Sequence, residues 1–251
     1  MNLFQKIGKL IRKVIIYIYV FFRNIYYYKT FKLYKKSDEV DKFSHILESI
    51  NYIKVAGSNG TILPPVYFEF GCYSGRTFST AINSAKFLNI DNFQFYAFDS
   101  FLGLPSTDDQ NIFKEGQFKF SKNEFKKIIK NKTGVLLEDK YIIEGFYEKS
   151  LKSEIALNLT KPGIIHLDCD LYSSTITVLK FLKPILVSGS VLLFDDYYCY
   201  PVNENLGQKK AIEEFLKDNT NFQFKRWKAY SSFGQSFFFI NKSEKFITEI
   251  K

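Results

Sequence analysis

From Val66 onward the chain alternates short apolar runs with stretches of helical periodicity. The runs are VYFEF (66–70), FQFYAFD (93–99), KYIIEG (140–145), GIIHLD (163–168) and SVLLFDD (190–196), each the length of a buried strand. Between them the 3.6-residue period predicts helices near Thr77–Leu88, Lys122–Lys130 and Ser174–Leu182. Strands separated by helices imply crossover connections and therefore a parallel sheet. Ahead of this series a helical pattern covers Asp38–Val55 and stops at the turn-rich GSNGT. Behind it, FQFKRW (222–227) and QSFFFIN (235–241) flank a loop containing AYSSFG, which reads as an antiparallel hairpin. The pattern predicts an α/β fold with a doubly wound, mostly parallel, Rossmann-like sheet ending in that hairpin. No internal repeat or low-complexity linker interrupts it, so residues 38–251 read as one domain behind an arm, residues 1–37.

Charge changes the picture only at the arm. The net charge is +9, with 35 Lys and Arg against 26 Asp and Glu. Nine of those basic residues fall within the first 36 positions, which hold no acid, so the rest of the chain is neutral. A neutral body argues against nucleic acid as a partner. Within the arm, a basic first half leads into the unbroken apolar run Val14–Phe22. Spanning a bilayer takes roughly 20 apolar residues, so this run is too short. It is followed by Arg23, Asn24 and Ile25 rather than by a small-residue cleavage site, which also excludes a secretory signal. Two readings stay open: a basic amphipathic helix on an anionic membrane surface, or a helix packed on the body or on a second copy in a homo-oligomer. Cys72, Cys169 and Cys199 have no metal or redox spacing, and a reducing cytoplasm, with the arm resting on the inner face of the membrane, is the expected location.

Two places carry candidate chemistry. The first strand runs into EFGCYSGRT (69–77) and then into a helix, with Gly71 and Gly75 where the backbone turns sharply and leaves room for a ligand. Asp99, ending the next strand, stands where an acid meets ribose hydroxyls. Glu69 in place of the first glycine, and Tyr73 interrupting the glycine rhythm, disfavour NAD; an acid opening the loop suits a cationic, phosphate-free ligand such as S-adenosylmethionine. The second place is the pair of apolar runs ending in HLDCD and LLFDD. Unpaired acids at buried strand ends are costly, because desolvation and mutual repulsion both oppose ionisation. A divalent cation would relieve Asp168, Asp195 and Asp196, with oxygen-only ligation favouring Mg²⁺ and Asp170 close by. As helix caps, Asp170 would serve and Asp196 hardly.

The stretches EFGCYSG (69–75), FDSFLGLP (98–105), EGFYEKSL (144–151), HLDCDLYSST (166–175), FDDYY (194–198) and GQKKAIEEFL (207–216) together resemble the macrocin O-methyltransferases of the TylF/MycF type. Those enzymes methylate sugar hydroxyls with S-adenosylmethionine and Mg²⁺ on a seven-stranded class I methyltransferase sheet. The resemblance implies Asp168, Asp195 and Asp196 as metal ligands and Asp170 as general base. It also implies a methyl-donor site formed by Glu69, Gly71, Tyr73, Ser74, Gly75, Asp99, Ser100, Gly145, Phe146 and Asp168. The implied acceptor is a sugar-containing small molecule or a glycan precursor. A catechol-like O-methyltransferase of the same fold, or a non-catalytic membrane-surface binding module, are the competing readings.

Overall fold

A computed structural model describes residues 36–57, 63–106, 113–200, 203 and 205–244. The chain divides into two compact units, residues 1–41 and 42–251. The apolar run Val14–Phe22 lies outside the described residues, and among those described no helix is long and apolar enough to cross a membrane.

The framework of the second unit is a seven-stranded sheet of β1 (Val66–Phe70), β2 (Gln94–Asp99), β3 (Ile142–Glu144), β4 (Ile164–Leu167), β5 (Val191–Phe194), β6 (Phe222–Tyr230) and β7 (Gly234–Asn241). The strand order is β3-β2-β1-β4-β5-β7-β6. The first five neighbours run parallel; β7 is antiparallel to β5, and β6 to β7. The five parallel strands and the hairpin therefore stand where the apolar pattern puts them. Strand β3 is shorter than its apolar run because Asp139–Tyr141 turn as a 3₁₀ helix before it.

Every residue of β1 is buried, which requires cover on both faces of the sheet. Phe68 and Phe70 point to one face, where they join Val178, Leu179 and Leu182 of α6 (Tyr172–Leu182) and Ala211, Ile212 and Phe215 of α7 (Gly207–Lys217). Two short helices, α4 (Tyr147–Ser150) and α5 (Glu154–Leu157), lie earlier in the chain and add Leu151 and Ala156 to this side. Tyr67 points to the other face, against Ile46, Ile50 and Ile53 of α1 (residues 42–57 in this unit), Phe78 and Ile82 of α2 (Arg76–Phe87), and Phe125 and Ile129 of α3 (Lys122–Thr133). Each fully buried aromatic or aliphatic side chain contributes about 1.5–3 kcal/mol. Helices α4 and α5 have too few turns to show a period, which is why the apolar pattern does not announce them.

Strand order reverses between β1 and β4, since β2 and β3 extend one way and β4, β5 and the hairpin the other. Ligands of such sheets bind at the carboxyl ends of the strands where the order reverses. Here those ends are Gly71 and Asp168, and they touch. The Asp168 N–H donates to the Phe70 carbonyl at 2.8 Å, and Gly71 has φ +86°. A Cβ at position 71 would lie 1.8 Å from the Asp168 carbonyl oxygen. The room that Gly71 provides is thus taken by the neighbouring strand end, not left for a ligand.

Candidate active site

Asp168 follows β4 directly and Asp195 follows β5, and the register of those strands sets Leu167 beside Phe194. The Asp195 N–H donates to the Leu167 carbonyl at 3.0 Å, so the two acids leave adjacent strand ends. Asp170 has φ +56°, a left-handed conformation that aspartate tolerates better than most residues. Its N–H donates to Asp196 Oδ2 at 3.1 Å, while the Cys199 thiol donates to Asp196 Oδ1 at 3.5 Å. Gln208, at the start of α7, holds both ends: its Oε1 accepts from the Asp196 N–H at 3.1 Å, and its Nε2 donates to the Leu167 carbonyl at 3.0 Å. In the sequence Gln208 is one letter of the GQKKAIEEFL motif, and nothing there gives it a task.

The sequence predicts a positive partner for these acids from outside the chain; the chain supplies one of its own. The Lys42 ammonium of α1 hydrogen-bonds Asp195 Oδ2 and lies 3.9 Å from Asp168 Oδ2. His166, fully buried on β4, puts Nε2 3.5 Å from Asp195 Oδ1 and Nδ1 3.6 Å from Glu69 Oε2. Burial would lower the His166 pKa, but Asp195 and Glu69 outweigh it and push it up to about 10. Burial likewise opposes the charge on Asp195, yet Lys42 and His166 hold its carboxyl below the ordinary range. The other three acids are not so well served. Burial, then the Asp195 charge, raise Asp168 well above its ordinary value; burial and Asp196 do the same for Asp170; burial and Asp195 bring Asp196 to about 7.

Four aspartates and Glu69 thus face one ammonium and one imidazolium. Donor atoms of His166, Asp168 and Asp195 lie within 4.8 Å of one another. Among the described residues, the buried His166 Nε2, Asp195 Oδ1 and Tyr230 hydroxyl have no hydrogen-bond partner. Converging oxygens of Asp168 and Asp195, with Asp196 close by and short of positive partners, fit a divalent cation. The set that converges differs from the expected one, with His166 joining Asp168 and Asp195, while Asp196 is engaged by Asp170 and Cys199.

On the other side of the β1–β4 seam lies the glycine loop. Asp99 Oδ2 accepts the N–H groups of Cys72 (2.7 Å) and Tyr73 (2.9 Å), and Oδ1 accepts that of Phe101 (2.7 Å). Burial raises its pKa and these donors oppose the rise. The Gly145 N–H donates to the Asp99 carbonyl at 3.0 Å, which brings Gly145 and Phe146 beside Asp99 and Ser100. At Gly145 (φ +120°) a Cβ would meet only Ser150, at 3.5 Å, so this stretch borders open space. Tyr73 is exposed with its ring 5.8 Å from Phe118 and 5.3 Å from Phe120; Ser74 is half-buried, and Gly75 packs against Phe125 and Ile129. Glu69 differs from the rest of the expected donor set. It is fully buried beneath the loop, where Tyr67 (2.5 Å) and Thr77 (2.8 Å) donate to its two oxygens.

Lys42 and His166 are the functional candidates that sequence reasoning misses. His166 leaves a trace, as a polar residue within an apolar run two places before Asp168; Lys42 leaves none, being 153 residues from Asp195.

A protein-family model described as Macrocin-O-methyltransferase (TylF) matches residues 42–221. No curated protein matches the chain by sequence. Among solved structures, the O-methyltransferase NovP superposes with a TM-score of 0.64 at 18% identity, covering 79% of each chain. The calicheamicin methyltransferase CalS11 superposes with a TM-score of 0.58 at 19% identity, covering 78% of each chain. At these identities the two superpositions bear on the fold.

Proposed function

The chain belongs to the macrocin-O-methyltransferase (TylF) family and is an S-adenosylmethionine-dependent O-methyltransferase, and on that premise we propose that it methylates a sugar hydroxyl with the help of a divalent cation, Mg²⁺. The observation that carries this reading is the juxtaposition, across one strand seam, of a backbone-lined donor loop and a carboxylate cluster short of positive charge. CalS11 is described as a TDP-rhamnose 3'-O-methyltransferase, which supports a sugar acceptor here.

When bound, S-adenosylmethionine supplies an electrophilic methyl group and Mg²⁺ supplies positive charge beside the acceptor oxygen. The chain does the rest. Asp99, Ser100, Gly145 and Phe146 border the donor with Tyr73, Ser74 and Gly75 of the loop, while Glu69 and Gly71 set the loop's base. Asp168 and Asp195 would hold the cation, with Asp196, or His166 Nε2 once it has given up its proton, as a further donor. Asp170, whose N–H is anchored on Asp196, would accept the hydroxyl proton at its carboxylate. Gln208 and Asp196 fix the backbone from which Asp170 projects. Holding both reactants in one crevice contributes through orientation.

The test is a methyl-transfer screen over nucleotide sugars, glycan precursors and catechols with Mg²⁺ present, products identified by mass. Methylated sugars are the expected outcome; methylated catechols alone would move the enzyme to the competing class. The basic, apolar character of residues 1–36 supports peripheral contact with anionic membrane as part of this reading. Deleting them should free the protein from anionic vesicles and leave turnover of a soluble acceptor unchanged. A loss of oligomer on deletion would instead assign the arm to subunit packing.

A further inference from the structure

We propose that Lys42 is a built-in cation that holds the strand-end carboxylates together in the metal-free protein and competes with a divalent ion for them. This rests on the metal assignment above. Asp195 and Asp168, which Lys42 approaches, are also two of the three residues whose donor atoms converge within 4.8 Å. The ammonium therefore occupies the space those carboxylates offer to any cation. A second positive charge there would repel it strongly in surroundings this buried, so one must leave Asp195 for the other to bind it.

An ordinary structural ion pair leaves no acid over. Here the ammonium reaches Asp195 Oδ2 and, at 3.9 Å, Asp168 Oδ2, with His166 on the far oxygen of Asp195, while Asp196 meets only a thiol and a backbone N–H. Asp195 Oδ1, His166 Nε2 and the Tyr230 hydroxyl make no close hydrogen bond, the first two standing 3.5 Å apart. Lys42 thus acts as a monovalent placeholder at a site that calls for more charge. Its side chain is 21% exposed and flexible, which gives it a route out. The functional result is a threshold: the site stays compact without metal and accepts it only at a concentration that displaces the lysine.

The experiment measures Mn²⁺ binding by electron paramagnetic resonance and Mg²⁺ binding by calorimetry on the full-length protein. Lys42→Met keeps an unbranched side chain and removes the charge. It should tighten binding by about 5- to 150-fold, the span of ordinary coupling between two ligands, whereas Lys42→Arg should stay near the parent. In the unaltered protein, acylation of Lys42, read peptide by peptide by mass spectrometry, should be slow without metal and rise as Mg²⁺ saturates, with other lysines unchanged. Unchanged or weaker Mn²⁺ binding by Lys42→Met would overturn the competition and leave the metal assignment standing. No binding by either parent or variant would remove both. Should Lys42→Met fail to fold, the acylation measurement decides, and labelling that does not rise with Mg²⁺ overturns the proposal.

Discussion

Asp99 and Asp196 both stand at strand ends on one edge of the sheet, yet their surroundings differ in kind. Asp99 is surrounded by backbone N–H groups of Cys72, Tyr73 and Phe101. Asp196 has a thiol, one N–H and three neighbouring aspartates. Backbone donors satisfy a carboxylate without adding net charge, so the donor side keeps its negative character and suits a cationic ligand. On the aspartate side the deficit is one of charge itself, which hydrogen bonds alone cannot fill. The loop's acid is thus satisfied by its own backbone, whereas the cluster's acids stay short of positive charge.

The largest effect is expected at the seam that joins the two sides. Gly71→Val would drive a side chain into the Asp168 carbonyl at a positive φ, and should cost more than about 4 kcal/mol, the extreme of single substitutions. Chemical denaturation checks this; a variant of normal stability would mean that the two strand ends can part. Next, Asp170→Asn should lower turnover by roughly 10²- to 10⁴-fold while Mg²⁺ and donor affinities, read by calorimetry, stay near the parent. Asparagine tolerates the left-handed backbone, so the loss would be chemical. Recovery with excess Mg²⁺ would instead make Asp170 a ligand. Smaller again, Asp99→Asn should cost about 1–3 kcal/mol and weaken donor binding, because an amide N–H would face the backbone donors that the carboxylate now satisfies.

A pH dependence also separates the two sides. Asp196 titrates near 7 in the fold against an ordinary value near 3.8, so the neutral form is the one the fold favours. Its contribution is present in full below about pH 4 and disappears as pH rises through 7. The metal-free protein should therefore lose melting temperature across that window, at about 2–4 °C for each kcal/mol in a chain of this size. Calorimetric scans should show Asp196→Asn flattening the slope, and Mg²⁺ doing the same in the parent. An identical slope in the variant would locate the titration elsewhere.

The strands are legible in the sequence because burial on both faces leaves an apolar run that no surface element shares, as in Val66–Phe70. Helices with a clear face, such as Arg76–Phe87, are legible within a residue at each end. Helix α7 is visible only as part of a motif, since Lys209, Gln208 and Gly207 are buried at its start and blur the polar face. In the site, the aspartates announce themselves by breaking apolar runs. Lys42 cannot, because a lysine on a helix is ordinary until the fold brings it to Asp195. Glu69 reads in the sequence as opening the ligand loop; its alternation with Tyr67 turns it instead into the sheet's face, against His166 across the β1–β4 pair.

Gln208 gives this architecture a gauge. One planar amide, accepting from Asp196 and donating to the Leu167 carbonyl, sets the spacing between the two acidic strand ends from a helix rather than from the loops around them. That spacing is then held by helix and strand, independently of the loops that follow Asp168 and Asp195.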